Sequence, residues 1–157
     1  MGSEMCIRDS CRQMWSDDDG PYTGKHYQLA ETLCVPQPVH QPHPRILIGG
    51  SGEKKTLRLV AQYADACNLF DTGADGVRHK LEVLERHCAD VGRDPAEVDV
   101  TITAALEADY DAGEFLERMR AYAELGVVQV SVSLPPESPA AFVEGLCERV
   151  LPDLSRF

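Results

Sequence analysis

The residues with the clearest capacity for chemistry are Gly49-Gly50-Ser51-Gly52, followed at once by Glu53, Lys54, Lys55 and Thr56. Ile46-Leu47-Ile48 before them reads as a buried strand, and Leu57, Val60, Ala61 and Ala64 after them fall at helical spacing. Strand, glycine-rich turn and helix together make an anion site. The turn's N–H groups and the helix N-terminus converge on one spot, and glycines let a phosphate come close to the backbone. Two familiar phosphate motifs fail here. A P-loop requires GxxxxGK[ST]; aligned from Gly49, Lys54 stands where the second glycine belongs, although Lys55 and Thr56 match. The dinucleotide fingerprint GxGxxG matches at Gly50 and Gly52 and breaks at Lys55. Two readings remain: a tight strand-to-helix turn with no ligand, or a phosphate cradle at the C-terminal end of a barrel strand.

The elements that must position this turn recur down the chain. A first strand over 46–49 leads to a helix over 53–64, and a second strand, Asp65 to Phe70, follows directly. The next helix, Asp75 to Val91, carries Val77, Leu81, Leu84, Cys88 and Val91 on one face and ends at Gly92. Asp94-Pro95-Ala96-Glu97 predicts one capped turn, with Asp as N-cap and Pro at the first position. A third strand covers Val98 to Leu106. Asp111 and Glu114 resemble a capping box, opening a helix with Phe115, Met119 and Tyr122 inward and Gly126 at its end. The fourth strand is Val127 to Leu134, broken by Pro135-Pro136. Ser138 and Pro139 start a last helix with Phe142, Leu146 and Val150 on one face. Strands separated by helices imply parallel pairing through right-handed crossovers. Either a small doubly wound sheet or half of a (β/α)8 barrel accepts the pattern.

The chain before residue 46 is different. Residues 1–10, MGSEMCIRDS, fit nothing that follows and read as assembly-junction sequence or a disordered leader, so they are set aside. Residues 11–45 form an irregular segment, with a turn at Asp17-Asp18-Asp19-Gly20-Pro21, a short strand near Tyr27 to Ala30, and a proline-rich connector from Val35 to Pro44. Consecutive rather than alternating acids argue against a calcium loop. His40 and His43 lie in the connector with no partners at ligand spacing. No metal site is expected.

The net charge of −11 over 157 residues argues against nucleic-acid and anionic-membrane partners. Six scattered cysteines without CxxC spacing support neither a zinc knuckle nor a redox motif. No apolar run approaches a membrane span, and a reduced cytoplasm is the simplest compartment.

Pro42 to Gly52, then Thr56-Leu57-Arg58-Leu59-Val60-Ala61 and Tyr63 to Asn68, resemble the luciferase-like monooxygenase superfamily, in particular its coenzyme F420-dependent oxidoreductases. Met14 to Asp17 and Tyr22 to Tyr27 resemble the segment this branch inserts before its fifth strand. The resemblance covers about residues 12–157. It implies a TIM barrel whose fifth to eighth strands are the four above. It also implies that Gly49, Gly50, Ser51, Gly52 and the helix start hold a cofactor phosphate, with hydrogen bonds from Ser51 and Thr56 and charge from Lys54 or Lys55. Asn68 would sit at the same barrel mouth. Many relatives carry Gly-Trp before that Asn, where this chain has Ala66-Cys67. The cofactor implied is F420, or FMN in the flavin-dependent relatives, acting on a small-molecule substrate in a full-length protein expected to be a homo-oligomer. The family's first four strands hold most ring and substrate contacts, so no catalytic acid or base is assigned. His79 and His87 read as outer-face residues of the long helix. A fragment inactive alone is one expectation; a self-contained, non-catalytic module binding a phosphate ligand is the other. Half a barrel would leave two unpaired strand edges and an uncovered inner face.

Overall fold

In the computed structural model of the chain, residues 3–134, 139–154 and 156 are described. The chain divides into two compact units, Met1–Arg45 and Ile46–Phe157.

The first unit begins with helix α1, Ser3–Met14. Residues 3–10, set aside on their character, are therefore helical. Cys6 and Ser10, one helical turn apart, are both buried, and the Ser10 hydroxyl donates to the Ile7 carbonyl at 2.9 Å. The i, i+4 spacing that produces this face is present in the sequence. Strands β1 (Tyr22–Thr23) and β2 (Gln28–Leu29) pair antiparallel. The acidic cluster turns as its composition predicts, with Asp18 Oδ1 accepting from the Gly20 N–H at 3.0 Å. Buried Thr32 ties this unit together: its hydroxyl lies 3.0 and 2.9 Å from the Asp18 and Gly20 carbonyls and accepts from Gln13 Nε2.

The second unit is one parallel sheet covered by helices. Its strands are β3 (Leu47–Gly49), β4 (Ala66–Phe70), β5 (Asp99–Ala105) and β6 (Val127–Ser133), hydrogen-bonded in the order β3-β4-β5-β6. Helices α2 (Thr56–Tyr63), α3 (Gly73–Val91), α4 (Ala112–Glu124) and α5 (Pro139–Arg149) alternate with them, and a short α6 (Leu151–Leu154) follows. A doubly wound sheet reverses its strand order at a switch point. Here spatial order equals chain order, which selects half of a TIM barrel.

Alternation along the strands separates two faces. Ile48, Cys67, Leu69, Val100, Ile102, Val130 and Val132 pack against the helices, meeting Leu57, Val60, Val77, Leu84, Phe115 and Tyr122 in a single core. Burying each large aliphatic side chain of that set contributes about 1.5–3 kcal/mol. The opposite face follows from the register Gly49↔Asn68↔Thr101↔Gln129, flanked by Leu47, Phe70, Thr103, Ser131 and Ser133. Leu47 and Phe70 on it are 54% and 60% exposed.

Local signals set the element ends. Gly92 takes the left-handed conformation at φ 70° and closes α3, with N–H bonds from Gly92 to Ala89 and from Arg93 to Cys88. Asp94 accepts from the Ala96 N–H and caps a 3₁₀ turn over Pro95–Glu97. Asp111 accepts from the Glu114 N–H at 2.8 Å, the N-cap half of the predicted box. Helix α2 starts at Thr56 rather than 53, because residues 53–55 are spent on the turn. Pro135, Pro136 and Ser138 lie outside the described residues.

Candidate functional site

Strand β3 ends at Gly49, which registers with Asn68 on β4, and the Gly50 N–H donates to the Asn68 carbonyl at 2.9 Å. Gly50 holds φ 121°, a conformation L side chains rarely adopt, so this position requires glycine. The chain then leaves the sheet. Ser51 Oγ accepts from the Phe70 N–H at 3.2 Å, and the Leu57 N–H bonds back to the Gly52 carbonyl at 3.0 Å. Thr56, the first residue of α2, folds over the turn. A Cβ on Gly52 would lie 2.9 Å from Thr56 Oγ1, and one on Gly50 would lie 3.3 Å from Thr56 Cγ2. At Gly49 a Cβ would meet nothing within 4 Å, so this side of the turn is open.

Helix α2 begins with its N-cap position, Lys55, making no side-chain capping bond and with no acidic residue in its first turn. The N-cap residue thus offers no carboxylate or hydroxyl acceptor to the N–H groups of the first turn, where the positive end of the helix dipole lies; of these, the Leu57 N–H is taken by the Gly52 carbonyl. Lys54 and Lys55 are exposed beside it. An anion is the partner this arrangement suits.

Asn68 occupies the inner face of the sheet. Its Nδ2 donates to Thr101 Oγ1 at 2.8 Å and its Oδ1 accepts from Thr103 Oγ1 at 3.0 Å, while Thr101 Oγ1 donates to the Cys67 carbonyl. These bonds fix the amide's orientation and leave it one N–H and one lone pair to offer. The two threonines escaped the sequence reading. Their i, i+2 spacing on β5, together with the register to Asn68, is the signal that finds them.

Two further clusters appear only in three dimensions. Glu53, within the turn, is held by α3: Lys80 Nζ pairs with its carboxylate, His79 Nε2 lies 3.2 Å from the same oxygen, and His87 Nε2 lies 2.8 Å from its main-chain carbonyl. The Lys80 hydrogen bond holds the Glu53 carboxyl below its ordinary range. At the end of β4, Asp71 accepts from the Tyr122 hydroxyl and pairs with Arg118 at 3.2 Å. Burial, then the Asp71 hydrogen bond, raises the Tyr122 hydroxyl above its ordinary value.

The structure thus gathers Gly49, Gly50, Ser51, Gly52, Thr56 and Asn68 at one turn, with Lys55 exposed at the helix start. His79 and His87 engage Glu53 from α3. The Ala66-Cys67 departure divides between faces. Cys67 is fully buried among Ile48 and Val100 on the helix side, its thiol pushed up to about 11 by burial, so only Ala66 borders the inner face. Among the described residues no group of three or more His, Cys, Asp or Glu could hold a metal ion, and no helix is long and apolar enough to cross a membrane.

A family model for luciferase-like monooxygenases matches residues 7–142. The chain belongs to this family. An uncharacterized protein of Mycobacterium tuberculosis is 26% identical over 145 residues, covering 90% of this chain and 48% of its own length. The chain therefore spans about half the length of the relatives it matches. An F420-dependent secondary alcohol dehydrogenase, solved with an F420-acetone adduct, superposes with TM-score 0.74 at 13% identity, covering 94% of this chain and 61% of its own. A long-chain alkane monooxygenase superposes at 0.70 and 13%, covering 95% and 54%. At such identities these structures establish the fold alone: four strands of a luciferase-like TIM barrel.

Proposed function

We propose that this chain forms the cofactor-phosphate half of a luciferase-like oxidoreductase that uses coenzyme F420 and transfers hydride between the deazaflavin and an organic substrate. The observation that carries the reading is the cradle itself: an open Gly49, a positive-φ Gly50 and an uncapped α2 start with two lysines beside it. A phosphate fits such a place without a dedicated cation, because backbone N–H groups and the helix dipole supply the positive charge. It would lie against the Cβ-free backbone of Gly49, Gly50 and Gly52, with the Gly50 N–H kept by the Asn68 carbonyl and the Leu57 N–H by the Gly52 carbonyl; other N–H groups at the start of α2 and the Ser51 and Thr56 hydroxyls would be its donors, and Lys55 would add charge at the rim. Asn68, locked by Thr101 and Thr103, would present one amide N–H and one oxygen lone pair from the inner wall.

Bound F420 supplies the hydride chemistry, and the protein's share is to bind, orient and shield it. This chain's share is binding and orientation. FMN is the alternative cofactor, and a monooxygenase, the long-chain alkane enzyme, also shares the fold at TM-score 0.70. The test is a fluorescence titration of F420 and of FMN with the chain, repeated with inorganic phosphate as competitor. Saturable binding of either one, relieved by phosphate, supports the reading, and the tighter of the two names the cofactor. Absence of binding by both refutes it.

A further inference from the structure

The turn that would receive a phosphate carries an acidic residue, Glu53, which taken alone opposes an anion. The structure shows what is done with it. Helix α3 takes the residue at both ends: Lys80 Nζ pairs with the carboxylate, with His79 Nε2 3.2 Å from the same oxygen, and His87 Nε2 reaches the main-chain carbonyl at 2.8 Å. The carboxylate's charge is neutralised on the α3 side, and one peptide plane of the turn is fixed. Ser51, two residues earlier, is tethered to β4 through the Phe70 N–H. The turn is therefore pinned to two different elements on either side of Gly52, and Thr56 closes over that glycine from α2.

We propose that Glu53 is a positioning residue of the glycine-rich turn, and that Lys80 and His87 of α3 are its anchors. This rests on the phosphate reading of the turn. The bracket does two things for an anion: it withdraws a carboxylate that would repel it, and it holds the turn's N–H groups in place before the ligand arrives, so that less ordering accompanies binding. Lys80 is the decisive anchor, being largely covered at 21% side-chain exposure where Glu53 is 41% exposed. An ordinary surface pair contributes little. This one spans 27 residues of sequence and joins a loop to a helix.

The experiment uses the full chain, uniformly labelled with 15N. Amide exchange of residues 51–55 is measured without ligand, and amide shifts of the same turn are followed on titration with inorganic phosphate, for wild type, Lys80→Met, Lys80→Arg and Glu53→Gln. The expected result is that Lys80→Met speeds exchange in the turn and weakens phosphate about fivefold each. Lys80→Arg should restore both, and exchange in β4 and β5 should stay unchanged. Glu53→Gln, which keeps the His87 bond and removes the charge, should speed exchange less than Lys80→Met does. Turn exchange unchanged in Lys80→Met overturns the inference, whatever phosphate does. A turn that loosens in Lys80→Met, in a chain whose wild type shows no phosphate shift, supports the bracket and removes the phosphate reading.

Discussion

Replacing Gly49 with alanine separates a ligand role from a folding role. The two glycines nearest it in the turn cannot do so. At Gly52 a methyl would stand 2.9 Å from Thr56 Oγ1, so the helix start must shift; forcing such a contact costs about 1–3 kcal/mol. At Gly50 the φ of 121° strains any side chain, by about 1–3 kcal/mol. Gly49 has ordinary φ and empty space where its methyl would go. On stability alone, Gly49→Ala should be neutral or favourable by about 0.4–1 kcal/mol, because it restricts the unfolded chain. That empty space is where the cradle opens. If a cofactor phosphate occupies it, the methyl removes close approach to the backbone and forfeits about one charge-assisted hydrogen bond, about 1.5–3 kcal/mol. This corresponds to a loss of affinity of roughly 10-fold to 150-fold. Thermal unfolding and FMN or F420 fluorescence titration on the same preparations give both numbers. The expected outcome is an unfolding midpoint at or slightly above wild type with binding at least tenfold weaker. A stable Gly49→Ala chain that binds like wild type refutes the placement of the phosphate at this turn.

Asp71→Asn should destabilise the chain by about 2–3 kcal/mol, since it breaks a mostly buried pair with Arg118; denaturant unfolding checks this, and a change under 0.5 kcal/mol would count against the pair. The raised Tyr122 hydroxyl makes stability depend on alkaline pH: its folded-state value lies above its ordinary 10.0, so the contribution is complete below pH 10 and is lost as pH rises further. Tyr122→Phe should flatten that alkaline decline, and ultraviolet titration of wild type should show one tyrosine of the five titrating last. Burial pushes the Cys67 thiol up to about 11 and raises that of Cys88, so both should resist a thiol reagent at pH 8 while exposed Cys147 reacts; labelling of Cys67 in the folded chain would contradict its placement. The chain on its own should associate with rising concentration, because among the described residues β3 and β6 are edge strands, each paired on one side. Sedimentation showing a monomer at all concentrations, with a sharp unfolding transition, would refute this.

The strongly periodic part of the fold was legible from the sequence. The steps Val77, Leu81, Leu84, Cys88 and Val91 name one face of α3; Val77, Leu84 and Cys88 are buried there, Leu81 packs partly buried against the core, and Val91, the last residue of the helix, is 43% exposed. Asp94, Asp111 and Gly92 mark element ends by side-chain and backbone chemistry that needs no tertiary partner, which is why they could be read one residue at a time. The chemistry-bearing turn was legible for the same reason, since Gly50 announces a conformation only glycine holds easily. Contacts across the sheet or between helices were not. Asn68 meets Thr101 and Thr103 through strand register, Glu53 meets Lys80 through the packing of α3, and Asp71 meets Tyr122 51 residues away. No local pattern encodes those distances. Helix α1 is the opposite case, a segment whose letters resemble junction sequence while Cys6 and Ser10 stand at the i, i+4 spacing of one helical face.

The two open edges of the sheet are unequal. β3 runs three residues and β6 runs seven. They are also different surfaces, so joining β6 of one copy to β3 of the next is a head-to-tail union that leaves the same two ends exposed after every addition. Two copies could close the ring at eight strands, the number a barrel of this kind needs; a union that misses closure grows into a fibre. The brevity of β3 limits each union to about three residues of parallel ladder and leaves most of β6 bare. A lysine or proline placed in the middle of β6 would therefore suppress growth, whereas the same change in β3 would first disturb the turn that follows it.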